Sequence, residues 1–149
     1  MLEWLKTNAG KARSALSTEV GKFKNRNFME ATAAACAMIA AADGEVSAAE
    51  KAKMAAFIDR SPELKAFNLS DVIGAFNQSV AKFEFDFQLG QAEALKTINK
   101  IKGNDGASRL LVRVACAIGA SDGSFDDKEK AACRQICLEL GLSPADFEL

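Results

Sequence analysis

Apolar residues recur every three or four positions along most of the chain, and that period predicts an all-α fold. Over 69–82, Val72, Ile73, Phe76 and Val80 keep helical spacing behind Asn68 as a possible cap. A further helix is expected over 88–102, and a short turn of helix after Ser143-Pro144. The stretches 27–42 and 106–121 are apolar and dominated by small residues, which lets neighbouring helices approach closely. Two places break the rhythm. Phe83-Glu84-Phe85-Asp86-Phe87 alternates strictly, a strand signal in isolation. With no second strand to pair with, a helical continuation, or a connector ending at Asp86 as N-cap, suits this chain better. Lys102-Gly103-Asn104-Asp105-Gly106 reads as a loop.

Shifting the sequence by 79 positions lays Asp43-Gly44 on Asp122-Gly123, and seven of fifteen positions then agree between 38–52 and 117–131. This pattern reads as an internal duplication, with copies at about 27–65 and 106–149. Each copy is a helix, a tight Asp-Gly turn and a second helix. Ser47 and Asp126 suit the N-cap of the second helix, and Glu50 and Glu129, three residues on, complete a capping box. Val46 and Phe125 precede the caps, placed to pack against side chains one turn in, around Ala52 and Ala131. Glycine at 44 and 123 supplies the positive φ that ends the preceding helix. The expected architecture is one all-α domain over 1–149, a bundle of about seven helices in two similar halves.

Residues 1–27 have another character. Six basic residues stand against two acids, and Leu2, Leu5, Ala9, Ala12, Leu16, Val20 and Phe23 follow one helical face. Packing on the bundle is the preferred expectation, with lying on a membrane or a partner as the alternative. From Asn104 onward the bias reverses to eight acids and five bases, so the chain is dipolar although its net charge is −1. Nothing in that total points to nucleic acid. The longest nearly apolar run, 31–42, is far short of the roughly 20 residues that cross a bilayer. With no signal-peptide pattern, a cytoplasmic protein is expected.

The Asp-Gly turns raise a chemical question. Asp43-Gly44-Glu45-Val46-Ser47 with Glu50 matches the later positions of an EF-hand loop, but Ile39 and Ala41 stand where the first two oxygen ligands belong. One copy offers Asp43, Ser47, Glu50, Glu45 and backbone carbonyls, too few for the 6–8 oxygens calcium prefers. Capping explains the same residues without an ion, and one carboxylate can do both. Histidine is absent, which removes the commonest general base. Cys36, Cys116, Cys133 and Cys137 lie in apolar stretches without CxxC spacing and are expected to be reduced. Cys133 and Cys137 share a helix face, but they align with Met54 and Ile58, so burial and inertness are expected.

The two helix–Asp-Gly–Ser/Asp-x-x-Glu copies, the basic opening that ends GKFKNRNFM, and the FEFDFQLG link together resemble the tellurite-resistance protein TerB family. The likeness runs over essentially the whole chain. It implies an all-α duplicated bundle and a cytoplasmic, non-catalytic part of a bacterial stress-response system. The implied partners are an integral membrane protein, TerC, reached at the inner face of the membrane, and metal-binding relatives of the TerD kind. Divalent-cation handling, implied by the resemblance, falls on Asp43 and Glu50 in the first copy and on Asp122 and Glu129 in the second. Ser47 and Asp126 are secondary candidates for the ion. Asp126, Asp127 and Glu45 are the candidate partner surface, although Ser124 replaces Glu45 in the second copy. Ca2+ or another divalent cation, weakly held, is the only cofactor implied. The readings that compete with an interaction module are a thiol-dependent enzyme acting on tellurium oxyanions and a plain cation buffer.

Overall fold

The computed structural model describes residues 9–23, 25–44, 46–120 and 125–149. Within them lie seven α-helices and no strand: α1 Ala9–Lys22, α2 Arg26–Ala40, α3 Ala48–Arg60, α4 Leu69–Phe85, α5 Phe87–Asn99, α6 Asp105–Gly119 and α7 Asp127–Glu139. Two 3-10 turns, Pro62–Leu64 and Pro144–Phe147, follow α3 and α7.

The core is built around α2. Every residue from Ala31 to Ala40 is buried, because a helix that is apolar all round has no solvent face to offer. Its alanines keep it thin enough for α4, α5, α6 and α7 to pack against it together. Thr32, buried within this helix, keeps its hydroxyl satisfied by donating to the Phe28 carbonyl at 2.8 Å. Beside α2, α6 is buried over most of its length. The two run in the same direction. Their N-terminal ends, at Asn25 and Asn104, border one depression, and their C-terminal ends, at Ala40 and Gly119, border one cleft.

The phenylalanine link is helical. Helix α4 continues to Phe85, and Asp86 breaks the chain in an extended conformation with φ −159° and ψ 121°. The Asp86 Oδ1 accepts from Leu89 N–H at 2.8 Å and starts α5. Alternation here marks a helix end and its sharp return. Phe83 is buried, Phe85 is exposed, and Phe87 meets Phe83 edge-on with centroids 5.5 Å apart. The return is tight enough that a Cβ on Gly90 would stand 2.5 Å from Phe83 Cα. The expected loop at 102–106 is shorter than its composition suggests, because Asn104 caps α6 and draws Asp105 and Gly106 into the helix.

Helix α1 settles the face read over residues 16–23. Leu16 and Val20 are buried, and α1 packs against the Pro62–Leu64 turn and α6. Ser17 Oγ donates to the Pro62 carbonyl at 2.8 Å. Phe23 stacks on Phe28, which stacks in turn on Phe67. Leu2 and Leu5 lie outside the described residues. No described helix is long and apolar enough to cross a membrane.

Candidate functional site

Both corners are built by the same local code. In the first, the chain leaves α2 through Ala41, and Gly44 adopts φ +101°, a conformation that glycine enters freely. Ser47 Oγ accepts from Glu50 N–H at 3.1 Å, while the Glu50 carboxylate accepts from Ser47 N–H at 3.3 Å. In the second, Asp126 Oδ1 accepts from Glu129 N–H at 2.8 Å and Glu129 Oε1 accepts from Asp126 N–H at 3.1 Å. Two full capping boxes result, and the carboxylates sit at helix N-termini, where the helix dipole favours negative charge. Residues 121–124, which include Asp122, lie outside the described residues, as does Glu45.

The corners meet. Asp43 and Glu50 from one and Asp126 and Glu129 from the other line a single cleft of about 180 Å³. Its apolar wall is Ile39, Met54, Phe57 and Ile118. Lys53 and Lys128 also line it, so four carboxylates face two ammonium groups. Lys53 lies over the Phe57 ring, 5.6 Å from its centroid, with Arg60 at 5.5 Å. Ser47 has its hydroxyl engaged in the cap, and Asp127 is exposed at the start of α7; neither lines the cleft. Among the described residues, no three His, Cys, Asp or Glu side chains are grouped closely enough to hold a metal ion. The geometry therefore suits a hydrated cation or a cationic partner group better than a chelated ion.

The rest of the candidate chemistry separates from this cleft. Lys51 pairs with Glu84 at 3.5 Å and ties α3 to α4. Arg26, Lys100 and Lys102 gather at the far end of α2 and α6, which gives the molecule an acidic end and a basic end. All four cysteines are reduced and buried. Hydrogen bonding with Cys116, then burial, holds the Cys133 thiol well above the usual thiol value. Burial, then the neighbouring Cys133, pushes Cys137 up to about 12. Lys53, Phe57 and Lys128 were not singled out from the sequence. The available signal was spacing: Lys53 and Phe57 follow Glu50 at successive turns of one helix face.

The fold and the paired corners first define a class: an all-α bundle with two capped acidic turns brought to one cleft. The family described as "TerB: Tellurite resistance protein TerB" matches residues 29–149. A protein from an Alcaligenes species named "Tellurium resistance protein TerB" is 43% identical over 102 residues, covering 68% of this chain and 84% of the relative. The chain belongs to the TerB family of tellurite resistance proteins. No solved structure matches it.

Proposed function

We propose that this protein is a non-catalytic interaction module of tellurium resistance whose acidic cleft senses weakly held divalent cations and docks a cationic segment of a TerC-like membrane partner. The observation that carries this reading is the meeting of Asp43 and Glu50 with Asp126 and Glu129 in one cleft. Each carboxylate has a local reason to exist as a turn or cap residue. None of those reasons requires two corners some 79 positions apart in sequence to face one another. An excess of carboxylates over ammonium groups attracts cations, and an apolar wall with Phe57 offers a partner more than charge alone. Membership in the family supports the role in tellurium resistance.

The test is calorimetric titration with Ca2+, Mg2+, Mn2+ and Zn2+, then capture of the membrane partner. Binding is expected to be weak, with Kd on the order of 10⁻⁴–10⁻³ M, as for sites poor in protein oxygens. Asp43→Ala with Asp122→Ala should abolish it, and charge reversal at Asp43 and Asp126, which both line the cleft, should weaken partner capture. Heats equal to those of dilution up to millimolar ion, together with unchanged capture, would leave the corners with capping alone.

A further inference from the structure

An apolar patch stands beside the acidic cleft. Among the described residues four large apolar side chains are exposed, and three of them, Phe85, Phe87 and Leu89, share the return from α4 to α5. Single exposed apolar residues are ordinary on a protein surface, but three within five positions form a patch. Phe85 is its most prominent member, 82% exposed at the last position of α4. The return holds its shape without that ring. It is fixed by the Asp86 cap, by the edge-on contact of Phe87 with Phe83 and by the close approach of Gly90 to Phe83. We infer that Phe85, with Phe87 and Leu89 beside it, is the apolar anchor for a partner segment that is basic and apolar at once, its cationic side chains entering the cleft. This inference rests on the cationic-partner reading of the cleft and adds the apolar half of what that partner must carry.

Position joins the patch to the cleft. Glu50 lines the cleft, and the next residue, Lys51, pairs at 3.5 Å with Glu84, the chain neighbour of Phe85. Helix α5 leads away from the return toward Lys100 at the basic end, so the return and the cleft share the acidic end. A segment of a few residues, at about 3.3 Å each when extended, can touch both. Charge then selects the occupant. Glu84, Asp86 and Glu93 surround the patch, with Lys51 paired to the first and Lys82 to the last. The cleft adds four carboxylates against two ammonium groups, so this end is negative as a whole. It repels an anionic bilayer surface and a second copy that presents the same end, and it attracts a basic segment. An exposed aromatic ring flanked by charged side chains is also the kind of residue on which binding energy concentrates.

The experiment uses the full-length protein and two fluorescent synthetic helix-forming peptides of equal lysine content. One carries leucines along one face, and the other carries serines in their place. Fluorescence anisotropy should give the leucine peptide roughly tenfold tighter binding. Phe85→Gln, which keeps α4 helical, should remove most of that preference and leave the serine peptide unchanged. Leu138→Gln removes an exposed apolar side chain from the last turn of α7, away from the cleft, and should change neither. Charge reversal at Asp43 and Asp126 should weaken both peptides, which is the result the cleft reading requires. Equal binding of the two peptides, or a preference that Phe85→Gln leaves intact, would overturn the anchor. Charge reversal that still weakened both would then show the cleft reading standing apart from it. Binding of neither peptide would overturn both. Self-association, or binding to neutral phosphatidylcholine vesicles, that Phe85→Gln abolished would give the patch another occupant and overturn this one.

Discussion

The hairpins α2–α3 and α6–α7 carry the same corner but bury it differently. Helix bounds, N-caps and capping boxes correspond across the 79-position shift, from Arg26 and Asp105 to Arg60 and Glu139. Yet α3 buries only Met54 and Ile58, whereas α7 buries Ala132, Cys133, Ile136 and Cys137. The difference lies in Lys53 and Phe57, which occupy the positions of Ala132 and Ile136 and line the cleft instead of the core. Helix α7 is held by α2, α5 and α6, while α3 leans on α2 and α4. Local code therefore fixes the shape of a corner, and side-chain volume and polarity one turn later decide how tightly the rest of the bundle holds it. The first corner belongs to the less firmly packed helix, which turns Lys53 and Phe57 to the cleft.

Truncating the paired positions of α3 and α7 should give the largest difference between the two hairpins. Ile136→Ala removes a fully buried side chain and should cost about 2–5 kcal/mol in urea unfolding. Phe57→Ala, at the equivalent place on α3, removes a half-buried ring and should cost only about 1 kcal/mol. Equal losses would mean that α3 is held as firmly as α7, and the asymmetry would fail.

Alkaline pH separates the two hairpins through the thiols of α7. Unfolded thiols ionise near 8.5, while Cys133 and Cys137 are held higher in the fold. Below that pH both states keep the proton and the contribution is flat. Above it the unfolded chain binds fewer protons than the folded one, so stability falls with rising pH, at a limiting slope of about 1.4 kcal/mol per pH unit per thiol. The decline should continue toward about 12, where Cys137 ionises in the folded state. No tyrosine titrates alongside them. Urea midpoints from pH 8 to 10.5 should fall steeply in the wild type and less steeply in a Cys133→Ala, Cys137→Ala variant. An identical slope in both would assign the loss to other groups.

The caps read from the sequence were legible because each is a local device: Ser47, Asn68 and Asp126 are short polar residues that bond to the N–H three positions on, whereas Asn25 and Asn104, which cap α2 and α6 in the same way, were not singled out. Asp86 was legible for the same reason, and it outweighed the alternating phenylalanines, whose period a helix end can mimic. Asp105 and Gly106 misled because turn-forming residues are tolerated in a first helical turn once Asn104 has capped it. The cleft itself was not legible. That Asp43 would face Asp126 depends on α2 and α6 lying side by side in one direction, which small residues along both permit but no short motif encodes. Family resemblance pointed to Asp43, Glu50 and Glu129, but not to the Phe57 wall or to the lysines beside them.

The smallest expected difference tests the corners directly. Ser47→Ala and Asp126→Ala each remove one half of a capping box, at about 0.5–2 kcal/mol. The Asp126 cap is charged and makes the shorter bond, 2.8 Å against 3.1 Å, so its loss should exceed that of Ser47 by a few tenths of a kcal/mol. Global unfolding barely resolves such a gap, but amide exchange does, because it reports opening helix by helix. Ser47→Ala should speed exchange over the first turns of α3 while leaving α7 protected, since α3 opens with few buried contacts to break. Asp126→Ala should raise exchange at α7 only near its N-terminus, with Ile136 and its neighbours still protected by α2 and α5. If removing Ser47 exposed α3 and α7 together, the two corners would open as one unit, and the cleft between them would be a single cooperative element instead of a seam between a firm helix and a loose one.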